Sequence, residues 1–351
     1  MRKVTMVLLA AAILVAFTTP VMAGQVELWV TVCCGSGNNT GVRAYDYTNK
    51  VFNSTPEAIH KHNNEGYPAT PYSILYVPGV GASGSMIGTG RQGAGLNIGS
   101  PSSQGRDVDN GAQNAAYRLL DEGGNPLNAG EGQQTAALGK NNRIYYTDFA
   151  NDKIVSMDYD GNFASVTDWV PSGVNGTSVG GGGSEFNNEK SGLYIADNGG
   201  SQLIIYNELG LNRQTYDMSG KAPKGLEFHP GGDLYVASAG NQVWKLSNFD
   251  ANGVPQAETL VLDAKHVLNN PDGVSDPRDI AFHPQMSNTI FVSEGNYHIN
   301  AYNLTTGAKR FNVISTGDPV FSSEIEFTPE PATLGLMSVG ALAMLRRRRT
   351  A

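Results

Sequence analysis

The chain has 351 residues, of which 40% are hydrophobic, only 16% are charged and 43 are glycine, with a formal net charge of −8. That length buries a full core in one large all-β domain or two ordinary ones, and glycine with 17 prolines fits a chain dense in turns, not a collagen-like or disordered one. The acidic balance excludes a binder of phosphate backbones. Without Arg2, Lys3, Glu330 and the four arginines 346–349, the body is more acidic still, with 18 basic against 31 acidic residues.

At the N-terminus, Arg2 and Lys3 precede an apolar stretch from Val4 to about Phe17, and Val21-Met22-Ala23 follows. A basic start, a short apolar middle and a small-residue cut site predict a secretory signal peptide over residues 1–23. The apolar run is shorter than the ~20 residues a spanning helix needs. The only two cysteines, Cys33 and Cys34, are adjacent and follow soon after. Outside the cytoplasm they tend to oxidise, but a bond between neighbours closes a strained eight-membered ring. A disulfide between Cys33 and Cys34, two reduced thiols, and a pair bonded to another chain all stay open. No spacing of cysteine and histidine matches a zinc site.

From residue 24 to residue 328 one pattern repeats. Apolar, strand-forming cores stand at Leu28–Val30, Leu75–Val77, Ile144–Tyr146, Leu193–Ile195, Leu234–Val236 and Ile290–Val292, at spacings of 47, 69, 49, 41 and 56 residues. Each is followed, after a Gly/Asn-rich connection, by an alternating partner: Val42–Asp46, Ala116–Leu120, Lys153–Asp158, Gln202–Tyr206, Gln242–Leu246 and His298–Tyr302. Two units align closely, Pro223–Ser238 with Pro277–Ser293. These spacings scatter around the ~40–50 residues of a four-stranded propeller blade and predict an all-β, six-bladed β-propeller. The first unit lacks a first strand, and Ser323–Phe327 is a first strand without a successor. Pairing the two closes the ring and removes the free sheet edges of an open array. Within the second unit, residues 78–111 are rich in Gly and Ser and read as a flexible, lid-like insert. Its Gly88–Gly93 spacing matches a dinucleotide fingerprint only in its glycines, and no helix follows.

The blade pattern, Pro-x-Gly-apolar-x-Phe followed by Leu-Tyr-Val-Ala, resembles the NHL and SMP-30/gluconolactonase-like six-bladed propellers over roughly residues 24–328. The resemblance specifies architecture and leaves function open, since one fold hosts many functions. In lactonase-type members, acidic and amide side chains at the channel mouth hold a divalent cation. The matching positions here are Lys224-Gly225, Arg278-Asp279 and Ser323-Glu324, with Glu27 nearby if the ring closes as drawn. Lys224 and Arg278 would repel a cation, whereas Asp279, Glu324 and Glu27 would offer it oxygen ligands. The resemblance therefore leaves two readings: a binding mouth made of Lys224, Arg278, Asp279, Glu324 and Glu27, without catalysis, or a lactonase-like hydrolase or lyase dependent on a cation such as calcium. His229 and His283 share one repeat position, each before a proline, and read as turn residues. Asp148 and Asp197, also equivalent, read as acceptors for loop amides. Trp29, Tyr76, Tyr145 and Trp169 are candidates to stack on sugar rings.

The chain ends in Pro329-Glu330-Pro331, an apolar segment from Ala332 to Leu345, and Arg346–Arg349. A short apolar helix before four arginines stalls with its basic end in the cytoplasm. These three ordered features resemble the PEP-CTERM sorting signal, placed here at residues 329–351. The resemblance implies processing by an exosortase-type enzyme and delivery to the cell surface or an exopolysaccharide matrix, with contact to the membrane only through this segment. The resulting expectation is an exported propeller that binds a polysaccharide or a protein partner, and no nucleic acid.

Overall fold

A computed structural model describes residues 28–32, 41–46, 51–52, 59–61, 70–77, 85–91, 103–107, 113–117, 135–140, 143–148, 153–158, 167–170, 181–187, 192–264, 273–295, 298–314 and 325–328. The predicted leader 1–23, the segment 329–351, Glu27, Glu324, Cys33 and Cys34 lie outside them.

The strands follow the chain as antiparallel meanders. The first set is β1 (Leu28–Val32), β2 (Gly41–Asp46), β3 (Val51–Phe52) and β4 (Ile59–Lys61). The second is β5 (Thr70–Val77), β6 (Ser85–Arg91), β7 (Ser103–Asp107) and β8 (Gln113–Tyr117). The third is β9 (Ala136–Leu138), β10 (Arg143–Asp148), β11 (Lys153–Asp158) and β12 (Thr167–Val170). The fourth is β13 (Gly181–Asn187), β14 (Gly192–Asp197), β15 (Gln202–Asn207) and β16 (Gln214–Asp217). The fifth is β17 (Pro223–Phe228), β18 (Leu234–Ser238), β19 (Gln242–Ser247) and β20 (Ala257–Leu262). The sixth is β21 (Pro277–Phe282), β22 (Thr289–Glu294), β23 (His298–Asn303) and β24 (Lys309–Ile314), and β25 (Ile325–Phe327) ends the series.

Five of the sheets, β5–β8 through β21–β24, are regular four-stranded blades. The expectation of six equivalent blades is corrected here. The remaining sheet is irregular and five-stranded, ordered β25-β1-β2-β3, with β4 pairing β2 off that path. It draws on both ends of the domain: Leu28 pairs with Phe327, Trp29 with Glu326 and Val30 with Ile325. Its β3 has only two residues, so its outer part is not a full blade strand.

The second blade departs from the sequence reading. Residues 78–111 are not simply a lid: β6 and β7 lie within them and form the two central strands of that blade. Leu75–Val77 consequently lies on the first strand of its blade, not the second, and the segment 116–120 begins at the end of the fourth. This shift explains the aberrant spacing of 69 residues on its C-terminal side, from Leu75 to Ile144.

Blades hold together through both faces of their second strands. Along β14, Leu193 and Ile195 pack with Tyr145, Ile154 and Val170 of the preceding blade. Alternate residues Tyr194 and Ala196 pack with Leu226, Leu234 and Val236 of the following one. The period of two thus serves two buried faces, and all six residues of β14 are buried. The aromatic at the second core position meets the phenylalanine that ends the next inner strand. Ring centroids are 5.1 Å apart for Tyr194–Phe228, 5.0 Å for Tyr235–Phe282 and 4.8 Å for Phe291–Phe327, all edge to face. Trp29, Tyr76 and Tyr145 are likewise core residues with at most 7% exposure, which removes them as sugar-stacking platforms.

Candidate functional site

The inner strands run from one face of the ring to the other, and their first residues rim one face. Register breaks at this end in four of them, between Pro71 and Ser73, Gly181 and Ser184, Pro223 and Leu226, and Pro277 and Asp279. Proline cannot donate to a ladder, and a bulge turns the extra residue out of it. Lys224 and Arg278 occupy such positions in neighbouring blades. The residue before each proline has a positive φ although it is not glycine, +43° at Ala222 and +47° at Asp276. Strain repeated at the entry to two inner strands marks a place that the surrounding structure over-determines.

Those surroundings are hydrogen bonds from the turns between second and third strands. Ala222 O accepts from Ala239 N at 3.1 Å, and Asp276 O accepts from Gly295 N at 2.9 Å. Side chains from the preceding blades complete the rim. Asn198 Nδ2 donates to Ala222 O and Pro223 O, both at 3.3 Å, and Asn241 Oδ1 accepts from Asp276 N at 2.6 Å.

The structure brings Lys224 and Arg278 together on one carboxylate. Lys224 Nζ lies 2.6 Å from Asp276 Oδ1, and Arg278 Nη2 lies 3.4 Å from Asp276 Oδ2. Burial works against ionisation of Asp276, but the hydrogen bond and charge of Lys224, reinforced by Arg278, outweigh it and hold the carboxyl below its ordinary value. Among the described residues, two cations and one carboxylate meet here, with Lys224 and Arg278 each about a quarter exposed. Sequence reasoning missed Asp276. Its only signal was that it precedes Pro277 as Ala222 precedes Pro223.

Asp279 does not join this group. It is 7% exposed, and its Oδ2 accepts from Ile325 N of β25 at 2.8 Å. Its Oδ1 packs over Gly225 of the preceding inner strand: a Cβ on Gly225 would stand 2.3 Å from that oxygen and 2.6 Å from Arg278 O. Burial pushes the Asp279 carboxyl up to about 7, against the opposing backbone donors Ile325 and Ile280. Gly225→Ala is therefore expected to force the two inner strands apart and cost about 1–3 kcal/mol, read as a lowered denaturant midpoint at unchanged slope. An unchanged midpoint would show that the strands are not held this close.

The other polar residues singled out in the sequence serve turns and blade contacts. Asp197 accepts from Gly200 N and Gln202 Nε2, both at 2.8 Å. Its counterpart Glu294, 5% exposed, accepts from Ser275 N, Asn300 Nδ2 and the Tyr302 hydroxyl. The side chain of Asp148 lies outside the described residues. His229 Nδ1 accepts from Gly231 N and His283 Nδ1 from Gln285 N, both at 3.0 Å, on the face opposite the rim. Each imidazole also meets the next blade: His229 lies 4.9 Å from Phe282, and His283 lies 5.0 Å from Phe327. Among the described residues, no three His, Cys, Asp or Glu side chains are grouped to hold a metal ion.

The fold is similar to that of a chain in a crystal structure of a nidogen/laminin complex, at 13% identity over 87% of this chain and 98% of that one, with a TM-score of 0.58. A protein from Lactobacillus plantarum is similar at 15% identity over 87% and 100%, with a TM-score of 0.54. A streptogramin B lyase structure is similar at 12% over 88% of each chain, with a TM-score of 0.51. Such identities show the β-propeller fold and nothing of activity. No curated protein matches the chain. Residues 327–349 match the PEP-CTERM protein-sorting motif. The chain is therefore a β-propeller with a PEP-CTERM motif at its C-terminus. The motif implies export, processing by an exosortase and anchoring in the membrane through that end.

Proposed function

We propose that this protein is a surface-delivered binding module whose rim at Lys224, Asp276 and Arg278 takes an anionic polysaccharide of the cell surface or extracellular matrix. The observation behind this reading is the sharing of one carboxylate by two cations on bulged inner strands. On a chain of net charge −8, it provides a local site where carboxylated sugars find both charge and hydrogen-bond donors. A rigid ring presenting its functional groups at the ends of strands suits recognition without chemistry.

Titration calorimetry of the exported chain against uronic-acid oligomers, with neutral dextran oligomers as comparison, tests the reading. Binding is expected for the acidic oligomer alone and should weaken with salt. Lys224→Gln with Arg278→Gln should reduce affinity at least tenfold, whereas Asp276→Asn should raise it by releasing Lys224. Equal binding of dextran, or the same response to both substitutions, would refute it. The enzymatic reading required Asp279 to converge with Glu27 and Glu324 on a cation. The Asp279 carboxylate accepts from Ile325 N and packs over Gly225, and Glu27 and Glu324 lie outside the described residues. A calcium-dependent rise in melting temperature that Asp279→Asn abolishes would favour that reading over ours.

A further inference from the structure

One hairpin stands apart from the charged rim. Asn187, Gly192 and Asn207 pair at one level across the fourth blade, so the β15–β16 turn lies on the face where inner strands end. Lys140, just past the end of inner strand β9, confirms the level by pairing with Glu208 of this turn at 3.6 Å. The chain also leaves β25 at Phe327 on this face, because Phe327 occupies the inner-strand position of Phe228 and Phe282.

Leu209 and Leu211 at the tip of this turn are 69% and 59% exposed, the most exposed large apolar side chains among the described residues. The turn is held firmly. Asn207 Oδ1 accepts from Leu209 N and Leu211 N at 3.1 and 2.9 Å. Gly210 has φ +71°, and its position against Trp169 leaves no room for a Cβ, which would lie 2.6 Å from Trp169 O. Trp169 Nε1 donates to Glu208 O at 3.3 Å. The equivalent hairpins use the same kind of turn but fold their apolar residues inward: Phe249 and Val254 in the fifth blade, Leu304 in the sixth. A rigid turn that keeps two leucines in solvent is best explained by a surface that receives them.

We infer that the Leu209/Leu211 hairpin seats the propeller on the lipid surface, so that the anchored protein turns its Lys224–Asp276–Arg278 rim away from the membrane. The length of chain beyond the ring identifies the occupant. Only residues 328–331 separate β25 from the apolar segment that begins at Ala332, a reach of roughly 17 Å at full extension. A tether this short keeps the face from which it leaves at the bilayer. It also replaces free affinity with a high local concentration, so two leucines suffice to orient the ring.

The test uses the full chain in phosphatidylcholine nanodiscs with brominated acyl chains, in a Cys33→Ser, Cys34→Ser background. A bimane label is placed through Leu211→Cys or, on the rim face, Ser219→Cys. Quenching by bromine is expected to be at least twofold stronger at position 211, and Leu209→Asp should bring it down towards the value at 219 with an unchanged melting temperature. Equal quenching at the two positions, or no response to Leu209→Asp, overturns the inference. So does bromine-independent quenching at 211 that rises with protein concentration, which would make the occupant a second copy of the chain. Neither outcome touches the ligand titration, so this orientation and the proposed binding function stand or fall separately.

Discussion

Phe327→Ala is expected to open the ring at one seam before the rest of the domain unfolds. The closing strand β25 contributes three residues to its ladder with β1, too few for hydrogen bonds alone to hold against fraying. What secures it is the Phe327 side chain, 6% exposed, wedged edge-on between Phe291 and His283 of the preceding blade. Truncating a buried phenylalanine costs about 3–5 kcal/mol, which for a domain of this size lowers the melting temperature on the order of 5–10 °C. Hydrogen exchange separates seam opening from uniform weakening. Those amides of Leu28–Val30 that face β25 should lose protection by several orders of magnitude, while those of β14 and β18 keep theirs. Phe228→Ala, at the equivalent position inside the ring, should lower stability by a similar amount without that local signature. Uniform loss of protection in the Phe327→Ala variant would mean that the ends are not the weak point. Phe327 is also the first residue matched by the sorting motif, so the closing strand and the sorting signal are contiguous.

The strands that could be read in advance are those whose side chains meet a neighbour twice. Leu193–Asp197, Leu234–Ser238 and Thr289–Glu294 bury both faces and therefore spell out near-continuous apolar runs. Closure was readable for the same reason, since Ile325 and Phe327 repeat the spacing of Leu226 and Phe228. The second blade was not, because β6 (SMIGTGR) and β7 (SQGRD) carry glycine and polar residues where β-branched ones would announce a strand. At the rim, the resemblance to lactonase-type propellers pointed to Lys224 and Arg278 but not to Asp276, because their meeting depends on register breaks that no residue type encodes. The direction of the Asp279 side chain was equally hidden. Its counterpart in the fifth blade is Gly225, and only the approach of adjacent inner strands decides that a carboxylate at one site needs a glycine at the other.

Asp279 also gives the domain a pH dependence of unusual sign. Its carboxyl is raised from 3.8 to about 7, chiefly by burial, so the folded protein keeps a proton that the unfolded chain releases. Between those two values the native state binds more protons, and stability contributed by this group falls as pH rises; below about 4 and above about 7 its contribution is flat. Full ionisation in the folded state costs on the order of 4 kcal/mol. Asp279→Asn retains an oxygen that can accept from Ile325 N but cannot ionise. At pH 4 the substitution is expected to leave the melting temperature nearly unchanged, and at pH 8 to raise it by several degrees. Asp276→Asn should act in the opposite direction. Its depressed carboxyl pKa supplies stability that is present above the unfolded value and lost as pH falls through the folded one, so removing it weakens the domain at neutral pH but not in acid. Melting curves for the parent and both variants across pH 4 to 8 distinguish the two carboxylates. Parallel curves for the parent and Asp279→Asn would mean that Asp279 is already ionised in the fold. In that case the Ile325 amide, not the loss of water, sets its state, and the seam between β21 and β25 is held by a charge.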